Sequence, residues 1–540
     1  MCRLCDEGKP QDHDSSLRDS LRGSRRDFLK ASTATAVAAA GLSLLSAPPA
    51  AAHDRDEAPG DTGKPGRRYI IRGGSVMSMD PNVGDFPKAD VLVEGKKIVA
   101  VGPNLPVAGA TKIDATGRIV MPGFIDTHHH QFETVLRSFL ADGILINDGS
   151  NTPSGNRTYY ELILLTFAPV YRPQDVYINE LFGGLSQLDA GVTTVLDISQ
   201  IHHSPDHSDA AIHGLLDAGR RAAFGYFEGA GLTHGPKYAY PLDAVRIKNE
   251  WFSSNDQLVT MIMGGEVYLG PPTYTQAWQL GRQLDLQIAA HILSPFGIRP
   301  ILDLLAAGQG GTPGSNIGLG ADNLFIHMTG MSDTAWQKVK EVGVQVSLAV
   351  PIEMNMRHGM PPILKMQSLG IEPSLSVDVE CTMTADFFTQ MRSTMTLQRA
   401  LVNQMILDPG FATDNWWPTP PPGTPALLTT RDVLRYATMN GAKALRLDGK
   451  TGSLTPGKEA DIIILDATAI NVAPLNQVPG AVVSLMERTN VETVIVAGKI
   501  RKWKGQLLDV DVDKLRRDLE NSRDYIFNKA GIAQDLFSPY

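Results

Sequence analysis

The chain has 540 residues, 43% hydrophobic and 20% charged, enough apolar content to bury a large core. Its formal net charge of −9 excludes nucleic acid as the expected partner, because phosphate binding needs a basic face. Cys2, Cys5 and Cys381 are its three cysteines, so no disulfide framework is expected; Cys2-x-x-Cys5 lacks the second pair that would complete a metal site.

Ser24-Arg25-Arg26-Asp27-Phe28-Leu29-Lys30 is followed by an apolar run from Ala31 to Leu45 and then by Ala50-Ala51-Ala52. This is the layout of an export signal. The run is shorter than the roughly 20 apolar residues of a membrane span. The paired arginines resemble a twin-arginine signal, which implies export across the cytoplasmic membrane, to the periplasm or beyond, with the twin-arginine translocase as a transient partner. Residues 1–52 are assigned to this signal, and 53–65, rich in Pro, Gly and charge, to a flexible linker. The mature chain then keeps one thiol, Cys381.

Tyr69–Gly74 and Ala89–Ile98 predict short strands, and strand-like segments return at Asp461–Leu465 and Val491–Lys499. Residues 66–122 and 446–504 are therefore expected to build one small composite β-sandwich from the two chain ends. Between them, over 123–445, strand-like and helix-like segments alternate, the pattern of a parallel sheet with helical crossovers. Eight candidate strands, Ile119–Ile125, Val192–Asp197, Ala222–Phe227, Val259–Met263, Leu286–His291, Asn323–His327, Val344–Ala349 and Ser374–Asp378, predict a TIM-like (β/α)8 barrel, so the fold class is α/β. Leu140–Arg157 and Trp416–Pro425 read as active-site loops. Residues 505–540 form a C-terminal helix and tail, with helical spacing and many charges over Val510–Tyr525.

In such a barrel the functional side chains sit at the C-terminal strand ends. His128-His129-His130 follows the first strand of "MPGFIDTHHHQFE", His291 ends "LDLQIAAH", His327 ends "NLFIH" and Asp378 ends "PSLSVD". Imidazole and carboxylate suit zinc or iron at neutral pH. A strand alternates its side chains, so His128 and His130 face one way and chelate one ion while His129 faces the other. Taken singly, His327 reads as a satisfied polar residue and Asp378 as a helix cap; the recurrence at barrel strand ends is what points to a metal.

These stretches, with "GVTTVLD", "YLGPPTY", "LFIHMTGMSD", "ATMNGAKALRL" and "TGSLTPGKEADIIILD", resemble the amidohydrolase superfamily, and within it the cytosine deaminase, chlorohydrolase and atrazine-degradation branch, over residues 66–505. The resemblance implies one divalent metal, zinc or else iron, held by His128, His130, His291 and Asp378. Asp378 would also move the proton of the attacking water to the leaving group, and His327 would orient that water or polarise the substrate. It implies a small-molecule substrate, a hydrolase acting on a C–N bond of an amide, urea, carbamate or ring amine, and a homo-oligomer; with the N-terminal signal, the expectation is an exported hydrolase. Alternatives are a heterocyclic amine deaminase or a dechlorinating hydrolase, and a non-catalytic metal- or ligand-binding protein on the same fold.

Two departures stand out. The deaminase pattern H-x-x-E after the fifth strand reads His291-Ile292-Leu293-Ser294 here, so the ring-protonating acid is missing. The fourth strand lacks a lysine to bridge two metals; Glu266 could bridge instead, but reads as a cap or structural residue. Glu228, His202 with His203, His358 and Trp417 beside Trp416 are candidates for substrate contact. Glu380 is a candidate supporting carboxylate.

Overall fold

The computed structural model describes residues 57–106, 108–147, 158–229, 240–254, 256–407 and 419–537. The export signal, part of each expected active-site loop, and Trp416 and Trp417 lie outside the described residues.

In chain order the strands are β1 (Arg68–Met77), β2 (Asp85–Glu94), β3 (Lys97–Gly102), β4 (Thr111–Asp114) and β5 (Arg118–Pro122). Then come β6 (Phe124–His129), β7 (Val192–Ser199), β8 (Arg221–Tyr226), β9 (Val259–Gly264) and β10 (Ile288–Leu293), and a small hairpin of β11 (Gly310–Thr312) and β12 (Ser315–Ile317). The series closes with β13 (Asn323–Thr329), β14 (Gln345–Leu348), β15 (Ser374–Leu375), β16 (Ile462–Asp466), β17 (Val491–Val496), β18 (Lys499–Trp503) and β19 (Gln506–Leu507).

The parallel sheet runs β6-β7-β8-β9-β10-β13-β14-β15, in sequence order, which is a (β/α)8 barrel. Its last gap is closed by main-chain bonds from His130 N to Asp378 O (2.9 Å) and from Asp378 N to His128 O (3.0 Å). The eighth strand is short; only Ser374–Leu375 is regular, and Asp378 joins the first strand as a lone bridge. Inside the barrel Ile125, Leu196, Ile198, Ala223, Ala289 and Ile326 form a core, plugged from below by the helix Met439–Ala444 with Leu445 and Leu447.

The other sheet, β19-β18-β17-β16-β5-β1-β2-β3 with β4 on β1, joins the two chain ends. The expected sandwich is one sheet curled over its own core of Tyr69, Ile71, Val91, Val93, Ile462 and Ile464. Lys97 at its β3 edge bridges back to Glu459, just before β16. Along β16, Ile462 and Ile464 enter this core while Ile463 and Leu465 enter the larger core around the barrel. A strand buried on both faces reads as a continuous apolar run, as "IIIL" does.

The segment Ile119–Ile125, expected as one strand, is two. Ile119 to Pro122 pair with β16, whereas Phe124 onward pairs with β7. The chain changes sheets at Gly123, where a Cβ would meet Thr193 at 2.2 Å. Part of the expected flexible linker is docked, since Thr62 Oγ1 accepts from Ile500 N (3.1 Å). The C-terminal helix is Val512–Ala530 and is not wholly solvated: Ser522, Ile526 and Phe527 are buried, and Ser522 donates to Asp175 (2.8 Å). No helix among the described residues is long and apolar enough to cross a membrane.

Candidate metal centre

His128 and His130 reach the barrel mouth through an irregularity that simple alternation does not anticipate. Ile125 faces the barrel interior, and Thr127 bonds the inward hydroxyls of Ser347 (2.7 Å) and Ser374 (2.8 Å). Strict alternation would then send His128 outward. The β6–β7 register shifts between Asp126 and His129, and this bulge turns His128 and His130 to the interior and His129 to the outside. The same device acts on the sixth strand. Ile326 faces inward, the β10–β13 register slips after Ile292, and His327 and Met328 adopt φ of 71° and 55°. His291, two residues after inward Ala289, needs no correction. Asp378 has φ 67°, a left-handed backbone that non-glycine residues adopt mainly at constrained sites.

Three imidazole nitrogens converge. The Nε2 atoms of His128, His130 and His291 lie 3.0, 3.2 and 3.1 Å apart pairwise. Asp378 Oδ1 is 3.4 Å from His128 Nε2 and 3.7 Å from His130 Nε2, and Asp378 Oδ2 is 3.6 Å from His327 Nε2. All five side chains are buried. A neutral ring has one N–H, so these three cannot satisfy one another by hydrogen bonds. Zinc–nitrogen bonds of about 2.0–2.1 Å put tetrahedral ligands roughly 3.3 Å apart, near the spacing seen. The donor set therefore fits one divalent cation.

The electrostatics agree. Burial, reinforced by neighbouring rings, holds the His128, His130 and His327 imidazoles well below the usual histidine value, in the neutral form that ligates metals. Burial would lower His291 too, but the Glu266 carboxylate overrides it and raises this imidazole. Burial pushes the Asp378 carboxyl up to about 7, against the pull of His291.

Each key ring is held from behind. Glu266 takes the His291 Nδ1 (2.5 Å) and accepts from the His291 main-chain N (3.1 Å), which leaves Nε2 aimed at the cluster. Glu266 is thus neither a bridging ligand nor a cap; it makes no side-chain bond to the helix turn that follows it. Glu353, which the sequence reading missed, sits 3.0 Å from His327 Nδ1 and accepts from Ala349 N (2.9 Å). It lies in the first turn of the helix Val350–Asn355, and no local sequence pattern signals its partner. His129 faces Glu380 at 3.8 Å, and Glu380 is bound by both arms of Arg137 (3.0 and 2.9 Å).

Above the cluster a cavity is lined by His130, His291, His327, Asp378 and His358, with Gln200, four leucines or valines, three tyrosines, Phe296 and Met356. His358 is a lining residue whose ring centroid is 4.7 Å from that of His327. Glu228 stands behind the wall, where Gln200 (3.1 Å) and Tyr268 donate to it. His202 does not reach the cavity. The chain turns away after Ser199, and His202 bonds Ser208 (3.0 Å) and packs on Phe224 and Tyr226. His203 is bonded to Ala168 O (2.8 Å). Ser294, at the position of the missing acid, is exposed and not part of the lining.

Residues 119–501 match the family model described as the amidohydrolase family. The chain is 26% identical over 475 residues to a 5'-deoxyadenosine deaminase of Methanosarcina barkeri, covering 85% of this chain and 98% of that protein. It is 28% identical over 434 residues to a 5-methylthioadenosine/S-adenosylhomocysteine deaminase of Thermococcus kodakarensis, covering 77% and 90%. Among solved structures it resembles a zinc-bound adenosine deaminase of Xanthomonas campestris, with a TM-score of 0.68 at 21% identity over 86% of this chain and 99% of that one. An atrazine chlorohydrolase of Arthrobacter aurescens complexed with zinc gives 0.66 at 19%, covering 84% and 100%. These structural likenesses concern the fold.

Proposed function

The chain belongs to the amidohydrolase family, an enzyme family acting on C–N bonds, and from that premise we propose a metal-dependent hydrolase of an amide, urea, carbamate or ring-amine substrate. The observation that carries this reading is the convergence of three imidazole Nε2 atoms on one point, 3.0–3.2 Å apart, beside the Asp378 carboxylate. His128, His130, His291 and Asp378 would hold the ion, and zinc suits this donor set best. When bound, such an ion supplies Lewis acidity and lowers the pKa of water toward about 7.

The remaining work falls to the chain's own groups. Asp378 accepts the proton of the attacking water and returns it to the leaving nitrogen, as a carboxylate placed beside the water site can. His327, anchored through Nδ1 by Glu353, presents Nε2 beside Asp378 and orients the water or the developing oxyanion. Glu266 fixes the His291 ring. The apolar lining excludes bulk water and strengthens these interactions.

A second reading, deamination of a heterocycle, is favoured by the activities named for the relatives. It requires a proton donor other than residue 294. A panel of amides, ureas, carbamates and heterocyclic amines separates the two: carboxylate plus amine marks amide cleavage, and ammonia from a heterocycle marks deamination. Loss of all turnover in His128→Ala, with loss of zinc, is the expected control; an unchanged rate would sink the metal mechanism. Export is a further part of the proposal, supported by Arg25-Arg26 and the apolar run after them. Replacing both arginines with lysine should leave the protein in the cytoplasmic fraction.

A further inference from the structure

The wall of the cavity away from the histidine cluster is largely apolar, with Gln200, three tyrosines and His358 as its polar members. Leu145, Leu164, Leu293, Phe296, Met356 and Val379 line it, and Asp378 is the one acidic or basic residue apart from histidines among the described lining residues. Away from the metal centre such a wall offers no charged partner to a substrate and favours an uncharged body.

Among the polar members, Gln200 carries the one carboxamide of the described lining residues. It follows the last residue of β7, its side chain continues the inward face of Leu196 and Ile198, and it is 2% exposed. Its amide nitrogen is committed on the hidden side, donating to Glu228 Oε1 (3.1 Å) and to the Tyr268 hydroxyl (2.9 Å). Tyr268 donates to the same carboxylate oxygen. With Glu228 ionised, reversing the amide would set its oxygen against the carboxylate, so the three groups together favour this orientation. Gln200 lines the cavity, and its Oε1 is a buried acceptor with no partner among the described residues. Buried polar atoms of native proteins are nearly always paired, and one left open in a cavity wall marks where a ligand supplies the partner.

We propose that Gln200, locked by Glu228 and Tyr268, is the specificity residue of this cavity, accepting a hydrogen bond from an N–H or O–H of an uncharged substrate with an apolar or aromatic body. The inference rests on the hydrolase reading for what happens to that substrate, but not for its recognition. A site built to accept a hydrogen bond rejects a methylated analogue strongly, because the acceptor is then buried unpaired.

Benzamide and N,N-dimethylbenzamide differ in donor capacity and share the aromatic body, so calorimetric titration of the zinc-loaded full chain with each is the test. The expected result is at least tenfold tighter binding of benzamide. In Gln200→Leu the two affinities should converge to within about threefold by loss of the benzamide advantage. Tyr268→Phe, which removes one lock, should erode the preference partly and stands in if the leucine variant does not fold. Equal affinities in the wild type, binding of neither probe, or a preference that survives in Gln200→Leu would overturn the proposal. Turnover of the amide panel is scored separately. Cleavage without donor preference defeats this inference alone, whereas donor preference without cleavage of any panel member defeats the hydrolase reading.

Discussion

Two buried charged clusters sit at opposite ends of the barrel, and they behave differently. At the foot, Arg221 at the start of β8 donates to Asp461 (2.9 Å) and Glu459 (2.6 Å), and Asp461 also accepts from Ala497 N (2.7 Å). Every strong donor there meets an acceptor, and the clamp ties the barrel to the curled sheet. At the mouth, the ring nitrogens of His128, His130 and His291 and the Asp378 carboxylate converge on one point, and His128 and His130 are held neutral by burial. Burial alone does not distinguish the clusters. What does is whether the charges close on themselves, which marks a structural joint, or converge on a shared point, which marks a ligand.

That contrast can be broken by mutation. Asp378→Asn should cut turnover of the panel's best substrate by about 10²–10⁴-fold, as steady-state kinetics would show; activity within a few fold of wild type contradicts its proton-transfer role. Arg221→Met should instead act on stability, costing about 3–5 kcal/mol by leaving Asp461 buried without its guanidinium and Glu459 with Lys96 and Lys97 alone. Urea unfolding measures the loss, and zinc per folded chain should stay at the wild-type value. Glu266→Gln sits between the two. It should weaken zinc binding about 10–100-fold in a chelator competition while the melting temperature stays near that of wild type.

The smallest effect concerns pH. Burial would raise Glu459, but Arg221 overrides it and holds the carboxyl below its usual 4.5. A depressed carboxylate contributes stability that is present above the unfolded value and lost as pH falls through the folded one. The unfolding midpoint should therefore drop in acid more for the wild type than for Glu459→Gln when both are measured without metal. Equal slopes would deny the clamp its electrostatic character.

Much of the barrel was legible because each strand is a short apolar run whose polar residue comes last, as in "LDLQIAAH" and "PSLSVD". The junction at Gly123 was hidden, since Ile119 to Ile125 is apolar throughout and no residue type announces a change of partner sheet. Glu353 was hidden too, because a lone glutamate in the first turn of a helix has no local pattern that says which histidine it faces. His202 misled for the converse reason: its place after a strand suggested the mouth, but the turn after Ser199 carries it onto Phe224 and Tyr226.

Residue chemistry and order by themselves determined the imidazoles and carboxylate at strand ends, the alternation that separates His129 from its neighbours, and the parallel architecture. Tertiary structure alone decided that His128 and His327 face inward at all. Their strands' own alternation points them outward, and bulges set by pairing with β7 and β10 reverse it. It also decided that Asp378 both closes the barrel and faces the metal centre, and that the Gln200 amide nitrogen is held by Glu228 and Tyr268. Register in a closed barrel is a property of neighbouring strands far apart in the chain, so no single strand's sequence carries it.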